Sequence, residues 1–98
     1  MKVLIQSPFT INDAQEEEIK SAVASLDTYN NKITQAEVYF KTDDGIMPDA
    51  ILAEVQIHVP GPVVFASDTA QQFMGAFNGA LNKAKKQLRK AKEIRQDY

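Results

Sequence analysis

Residues 33–42 and 50–59 each alternate apolar and polar side chains with period two, and nothing else in the chain limits its fold as strongly. In the first stretch Ala36, Val38 and Phe40 share one face, and Gln35, Glu37, Tyr39 and Lys41 share the other. In the second, Ile51, Ala53, Val55, Ile57 and Val59 face one way, and Leu52, Glu54, Gln56 and His58 the other. Successive side chains of a strand point to opposite faces, so each stretch reads as a half-buried strand. The turn cluster Thr42-Asp43-Asp44-Gly45 and the Pro48-Asp49 loop lie between them. Such a pair calls for a sheet with one covered face and one wet face, which antiparallel sheets allow.

The flanking segments supply the cover. Residues 2–6 hold Val3, Leu4 and Ile5 and are bounded by Ser7-Pro8, which reads as a further strand. Asn12 or Asp13 then offers an N-cap, and Glu16, Glu17 and Glu18 suit the positive end of a helix. Ile19, Val23 and Leu26, with Ala22 beside them, make one apolar stripe over residues 13–28. Asn30-Asn31 is a stop signal, because Asn tolerates left-handed backbone geometry. Pro60-Gly61-Pro62 predicts a tight reversal into a strand over Val63–Ala66. Ser67, Asp68 or Thr69 is the expected cap of a last helix running from about Ala70 to about Ile94. Its stripe is Phe73, Phe77, Ala80, Leu81, Ala84, Leu88 and Ala91. Gly75 and Gly79 lie four apart inside that helix, each costing up to about 1 kcal/mol against Ala. Close packing of that helix face is the expected reason. The element order is β-α-β-β-β-α, an α+β fold with a four-stranded sheet and two helices on one face. Residues 1–98 form one domain. The first crossover is right-handed if its two strands are parallel neighbours.

Charge is segregated along the chain. Residues 83–98 hold seven basic side chains against Glu93 and Asp97, a net +5. The whole chain is −2, so residues 1–82 carry −7. On the last helix Lys83, Lys86 and Lys90 lie on one flank of the apolar stripe, and Lys85, Arg89 and Lys92 on the other. Cations complement the negative C-terminal end of a helix, but that effect fades within a turn. These charges span three to four turns, which points to a polyanionic partner met at one end of the molecule. Chemistry has little to work with. Cysteine is absent, and His58 is the only histidine, so neither thiolate chemistry nor a triad is available. Asp43, Asp44 and Asp49 lack the spacing of a calcium loop. No phosphate-binding glycine loop occurs. Tyr29 and Tyr39 suit packing better than base stacking. No enzyme, metal or cofactor is expected. No apolar run approaches a membrane span, and the N-terminal stretch lacks signal-peptide features, so a soluble cytoplasmic protein is the expectation.

Several stretches resemble the ribosome hibernation-promoting factor family, also called ribosome-associated inhibitor, protein Y or sigma-54 modulation protein. Asn82-Lys83-Ala84-Lys85-Lys86-Gln87-Leu88-Arg89-Lys90-Ala91-Lys92 is similar to that family's second-helix motif. The opening Met-Lys-Val-Leu-Ile-Gln, the trio Leu26, Tyr29 and Ile33, and the turn His58-Val59-Pro60-Gly61 fit in the same order. The resemblance implies a fold like that of double-stranded RNA-binding domains. It also implies a translation inhibitor bound to the small ribosomal subunit, with basic side chains on ribosomal RNA phosphates. Carried over by position, Lys83, Lys86, Arg89, Lys90 and Lys92 match the second-helix basic set and Lys32 a basic residue just after helix one; with Lys85 of the same helix they make the expected RNA-binding set. Where the family carries lysines on its first helix, this chain has Ala22, Ser25 and Thr28. Three lost phosphate contacts would lower the salt slope of binding by about 2–3 units.

The expected partner is therefore the small subunit and its RNA, with no DNA and no membrane, and with the protein a monomer or weak dimer. The alternative is a diverged family member that serves as a protein-interaction module without ribosome binding.

Overall fold

A computed structural model describes residues 2–29, 32–42, 50–61 and 63–96, with side chains described as far as residue 90. The elements run β1 (Lys2–Gln6), α1 (Asp13–Ala24), a 3-10 turn (Ser25–Thr28), β2 (Gln35–Thr42), β3 (Ile51–His58), β4 (Val64–Ala70) and α2 (Phe73–Gln96). The expected β-α-β-β-β-α order holds. The Asn30-Asn31 stop, the loop at residues 43–49 and Pro62 fall outside the described residues.

The sheet order is β1-β2-β3-β4, with β1 parallel to β2 and the other pairs antiparallel. The two alternating stretches pair directly, Val38 opposite Val55 and Phe40 opposite Ala53. Their apolar sides are buried under the helices, and their polar sides form the open face. Gly61 carries the β3–β4 reversal at φ 109°, a conformation that side chains resist.

Local chemistry explains where α1 begins and how it ends. The Asn12 side chain accepts from the Gln15 amide at 2.7 Å, and the Gln15 side chain accepts in return from the Asn12 amide at 3.3 Å. This reciprocal pair satisfies two of the helix's unpaired N–H groups. At the other end the Ser25 hydroxyl donates to the Ala22 carbonyl and the Thr28 hydroxyl to the Ser25 carbonyl. Such back-bonding competes with the α-helical ladder just where the chain tightens into 3-10 geometry.

One expectation fails at the start of α2. Ser67, Asp68 and Thr69 do not cap the helix; they extend β4 to Ala70, and the helix begins at Phe73. Ala53, Leu52 and Ile51 of β3 pair with Asp68, Thr69 and Ala70. A full ladder along an eight-residue partner outweighs the local cap preference of Ser, Asp and Thr.

The core lies between the helices and the covered sheet face. Ile19 and Val23 from α1, Leu26 from the 3-10 turn, and Phe77, Ala80, Leu81, Ala84 and Leu88 from α2 meet Val38, Val55 and Ile57. Phe77 is fully buried, and truncating such a ring costs about 3–5 kcal/mol. Phe9, Phe40 and Phe73 close one end with centroids 5.2–5.8 Å apart. Both glycines of α2 face β4: a Cβ on Gly75 would press on the Ala70 side chain, and one on Gly79 would fall on the Asp68 carboxylate. The expected close packing is thus between α2 and an edge strand.

Candidate nucleic-acid interface

α2 runs antiparallel to β4. Gly75 lies beside Ala70 and Gly79 beside Asp68, while Lys83 reaches Ser67 and Gln87 reaches Phe65. Among its described side chains Leu88 is the last in the core, and the helix continues eight residues further, about 12 Å at 1.5 Å per residue. The basic half of α2 therefore sits at the end where β1 and β2 begin and β3 ends, opposite the phenylalanine trio.

The two basic flanks differ in what they touch. On one, the Lys83 ammonium donates to the Ser67 carbonyl at 3.1 Å and lies 3.6 Å from the Asp68 carboxylate. One turn on, the Gln87 amide donates to the Phe65 carbonyl at 2.7 Å. These bonds cover the outer edge of β4, whose carbonyls would otherwise face an approaching strand. On the other flank, the Arg89 guanidinium lies over the Tyr29 ring at 5.8 Å, within cation–π range. That contact ties α2 to the segment that follows α1. Lys32 is exposed three residues past Tyr29.

Of the seven basic residues marked in the sequence, Lys86, Arg89, Lys90, Lys83 and Lys32 are exposed and Lys85 is half-buried. The Lys92 side chain lies outside the described residues. Among the described residues, Lys86 and Lys90 have no carboxylate within ion-pair distance. Lys83 is compensated by Asp68. Sequence reasoning missed Gln87, Asp68 and the seat of Arg89 on Tyr29. Gln87 lies one turn from Lys83, so the flank itself was visible; that the flank meets a strand edge was not.

The open sheet face carries a different chemistry. Glu37 accepts from the Tyr39 hydroxyl and the Gln35 amide, both at 2.6 Å, and the His58 Nε2 lies 3.6 Å from its carboxylate. The Tyr39 hydrogen bond, with smaller help from His58 and Gln35, holds the Glu37 carboxyl below its ordinary value against an opposing desolvation. The same bond raises the Tyr39 phenol. Lys41 pairs with Glu54 at 3.2 Å. Tyr39 and Tyr29 thus both serve packing and positioning within the fold. Among the described residues, no group of three or more His, Cys, Asp or Glu could hold a metal, and no helix is long and apolar enough to cross a membrane.

Fold and charged end together define a small α+β module with a basic helix end. The chain belongs to the sigma 54 modulation protein / S30EA ribosomal protein family, matched over residues 5–96. The fold is similar to that of the Thermus thermophilus Protein Y N-terminal domain, at 23% identity and a TM-score of 0.75, covering 92% of this chain and 98% of that one. It is also similar to a ribosomal subunit interface protein from Coxiella burnetii, at 16% identity and a TM-score of 0.81, covering 95% and 99%. A comparison with curated proteins returns no match.

Proposed function

We propose that this protein binds the small ribosomal subunit through the basic end of α2 and restrains translation as a hibernation factor. The observation that carries this reading is the cluster of exposed Lys86, Arg89 and Lys90 in the C-terminal half of α2, in a family of ribosome-associated proteins. Arg89 resting on Tyr29 brings the Lys32 segment to the same end. Lysine and arginine on phosphates read shape and charge rather than sequence, so the interaction is electrostatic and weakens steeply with salt. Lys83 contributes less than its neighbours, because Asp68 and Ser67 already hold it.

Sedimentation with small subunits through a sucrose cushion tests the reading. Association at low salt that is lost at high salt is the expected result, and replacing Lys86, Arg89 and Lys90 with Ala abolishes it while the circular dichroism stays unchanged. Undiminished association of the triple variant sinks the site.

A second reading has its own observation. Where the family resemblance implies lysines, the first helical segment presents Ala22, Ser25 and Thr28, with both hydroxyls bonded to its own backbone. Those three positions offer no cation to a phosphate, which suits a diverged member acting as a protein-interaction module. No association with subunits even at low salt would favour it.

A further inference from the structure

Phe65 is the feature of this surface that packing does not explain. Its neighbours Val64 and Ala66 are buried against α2, so its ring projects onto the open sheet face, where the residue is 47% exposed. Its partner across the ladder is Gln56, a polar residue. Yet the backbone of Phe65 is held by the basic helix: Gln87 donates to its carbonyl, and Lys83 donates to that of Ser67 two residues on. Lys86 and Lys90 flank Gln87 on the sequence and are exposed. A half-exposed aromatic ring therefore sits on the strand edge that the basic flank grips.

We infer that Phe65 is a stacking platform for an unpaired RNA base whose phosphates lie along Lys83, Lys86 and Lys90. This rests on the RNA-binding reading above and adds the class of RNA taken at that edge. Every base has a stackable face, but in a duplex both faces are occupied, so only a single-stranded or bulged nucleotide fits. A protein partner fits the surface less well. Among the described residues the exposed apolar group here is Phe65 with Val63, and the third large exposed hydrophobe, Leu4, lies on the opposite edge strand, about 14 Å away at 4.8 Å per strand. Two side chains beside a row of lysines fall well short of the roughly 800 Å² per partner of a stable protein interface.

The chain has no tryptophan, so Phe65→Trp places a single reporter on the platform. The probes are a labelled twelve-nucleotide mixed-sequence RNA, its duplex, and small ribosomal subunits. Polarisation measures binding, and tryptophan emission measures stacking. The expected result is quenching by the single strand and little by the duplex. Phe65→Thr, which keeps strand propensity, loses about five- to a hundred-fold in single-strand affinity. Its salt slope stays unchanged, because no phosphate contact is lost. Binding of the single strand with unaltered tryptophan emission overturns the platform and leaves the RNA reading standing. A blue shift without quenching, seen with subunits alone, assigns the ring to a protein contact and overturns it too. Absence of RNA binding by the unsubstituted chain removes both readings.

Discussion

Gly79 shows how one missing side chain can decide a helix–strand contact. In isolation Gly79→Ala should help α2 by close to 1 kcal/mol. In the fold the new Cβ meets the Asp68 carboxylate, which also accepts from the Thr69 amide and faces Lys83. We predict that Gly79→Ala destabilises the protein by about 1 kcal/mol, and that the loss shrinks when the change is made together with Asp68→Ala, which removes the carboxylate but leaves the Asp68 Cβ 3.1 Å from the new Cβ. Urea unfolding of the four members of this cycle checks the sign. Asn12 makes a second residue-scale case. Replacing it with Ala removes one half of the capping box and should cost about 1 kcal/mol. In a chain of this size that lowers Tm by about 4–8 °C, read by thermal denaturation.

Among the elements, the open face of β2 and β3 is where pH acts. The Glu37 carboxyl titrates below its ordinary value in the fold, so the stability it contributes is present above that value and is lost as pH falls through the lowered one. Glu37→Gln should therefore show a shallower loss of stability on acidification than the unsubstituted chain, measured by urea midpoints across the acid range. Tyr39 runs the other way. Its phenol is raised, so its contribution holds below the ordinary tyrosine value and disappears as pH rises through the raised one. The helices divide their labour differently. α1 is held by its cap and by Ile19 and Val23 in the core, with Lys20 and Glu16 paired on its surface at 3.1 Å. α2 packs along β4, clasps that edge with Lys83 and Gln87, and carries its charge onward past the sheet.

For the molecule as a whole, the consequence is polarity of charge rather than net charge. A chain of −2 with a sequence pI near 5.3 should pass through a heparin column near neutral pH if charge were spread evenly. With +5 gathered on residues 83–98, retention is expected instead, and elution should shift to lower salt in the Lys86, Arg89 and Lys90 alanine variant. Elution of both proteins at the same salt would mean that the α2 end does not dominate the surface field. The principal extents of 46 × 29 × 17 Å describe an elongated body. Its basic end and its phenylalanine-closed end lie at opposite ends of the sheet, so the positive field is gathered at one end of the molecule.

Sequence alone determined the elements and their order, because period two in residues 33–42 and 50–59 and the apolar stripe of α2 are local patterns that burial has to respect. It also determined which faces are covered and that positive charge collects at the C-terminal end. Tertiary structure decided where β4 stops, since pairing with Ile51–Ala53 overrode the cap preference of Ser67, Asp68 and Thr69. It decided which cations are held and which stand open: Lys83 is drawn to Asp68 across the Gly79 gap, and Arg89 comes to rest on Tyr29, sixty residues earlier in the chain. Those choices depend on contacts between residues far apart in sequence, and periodicity, which reports only the face a residue occupies, carries no information about which residue waits on the other side.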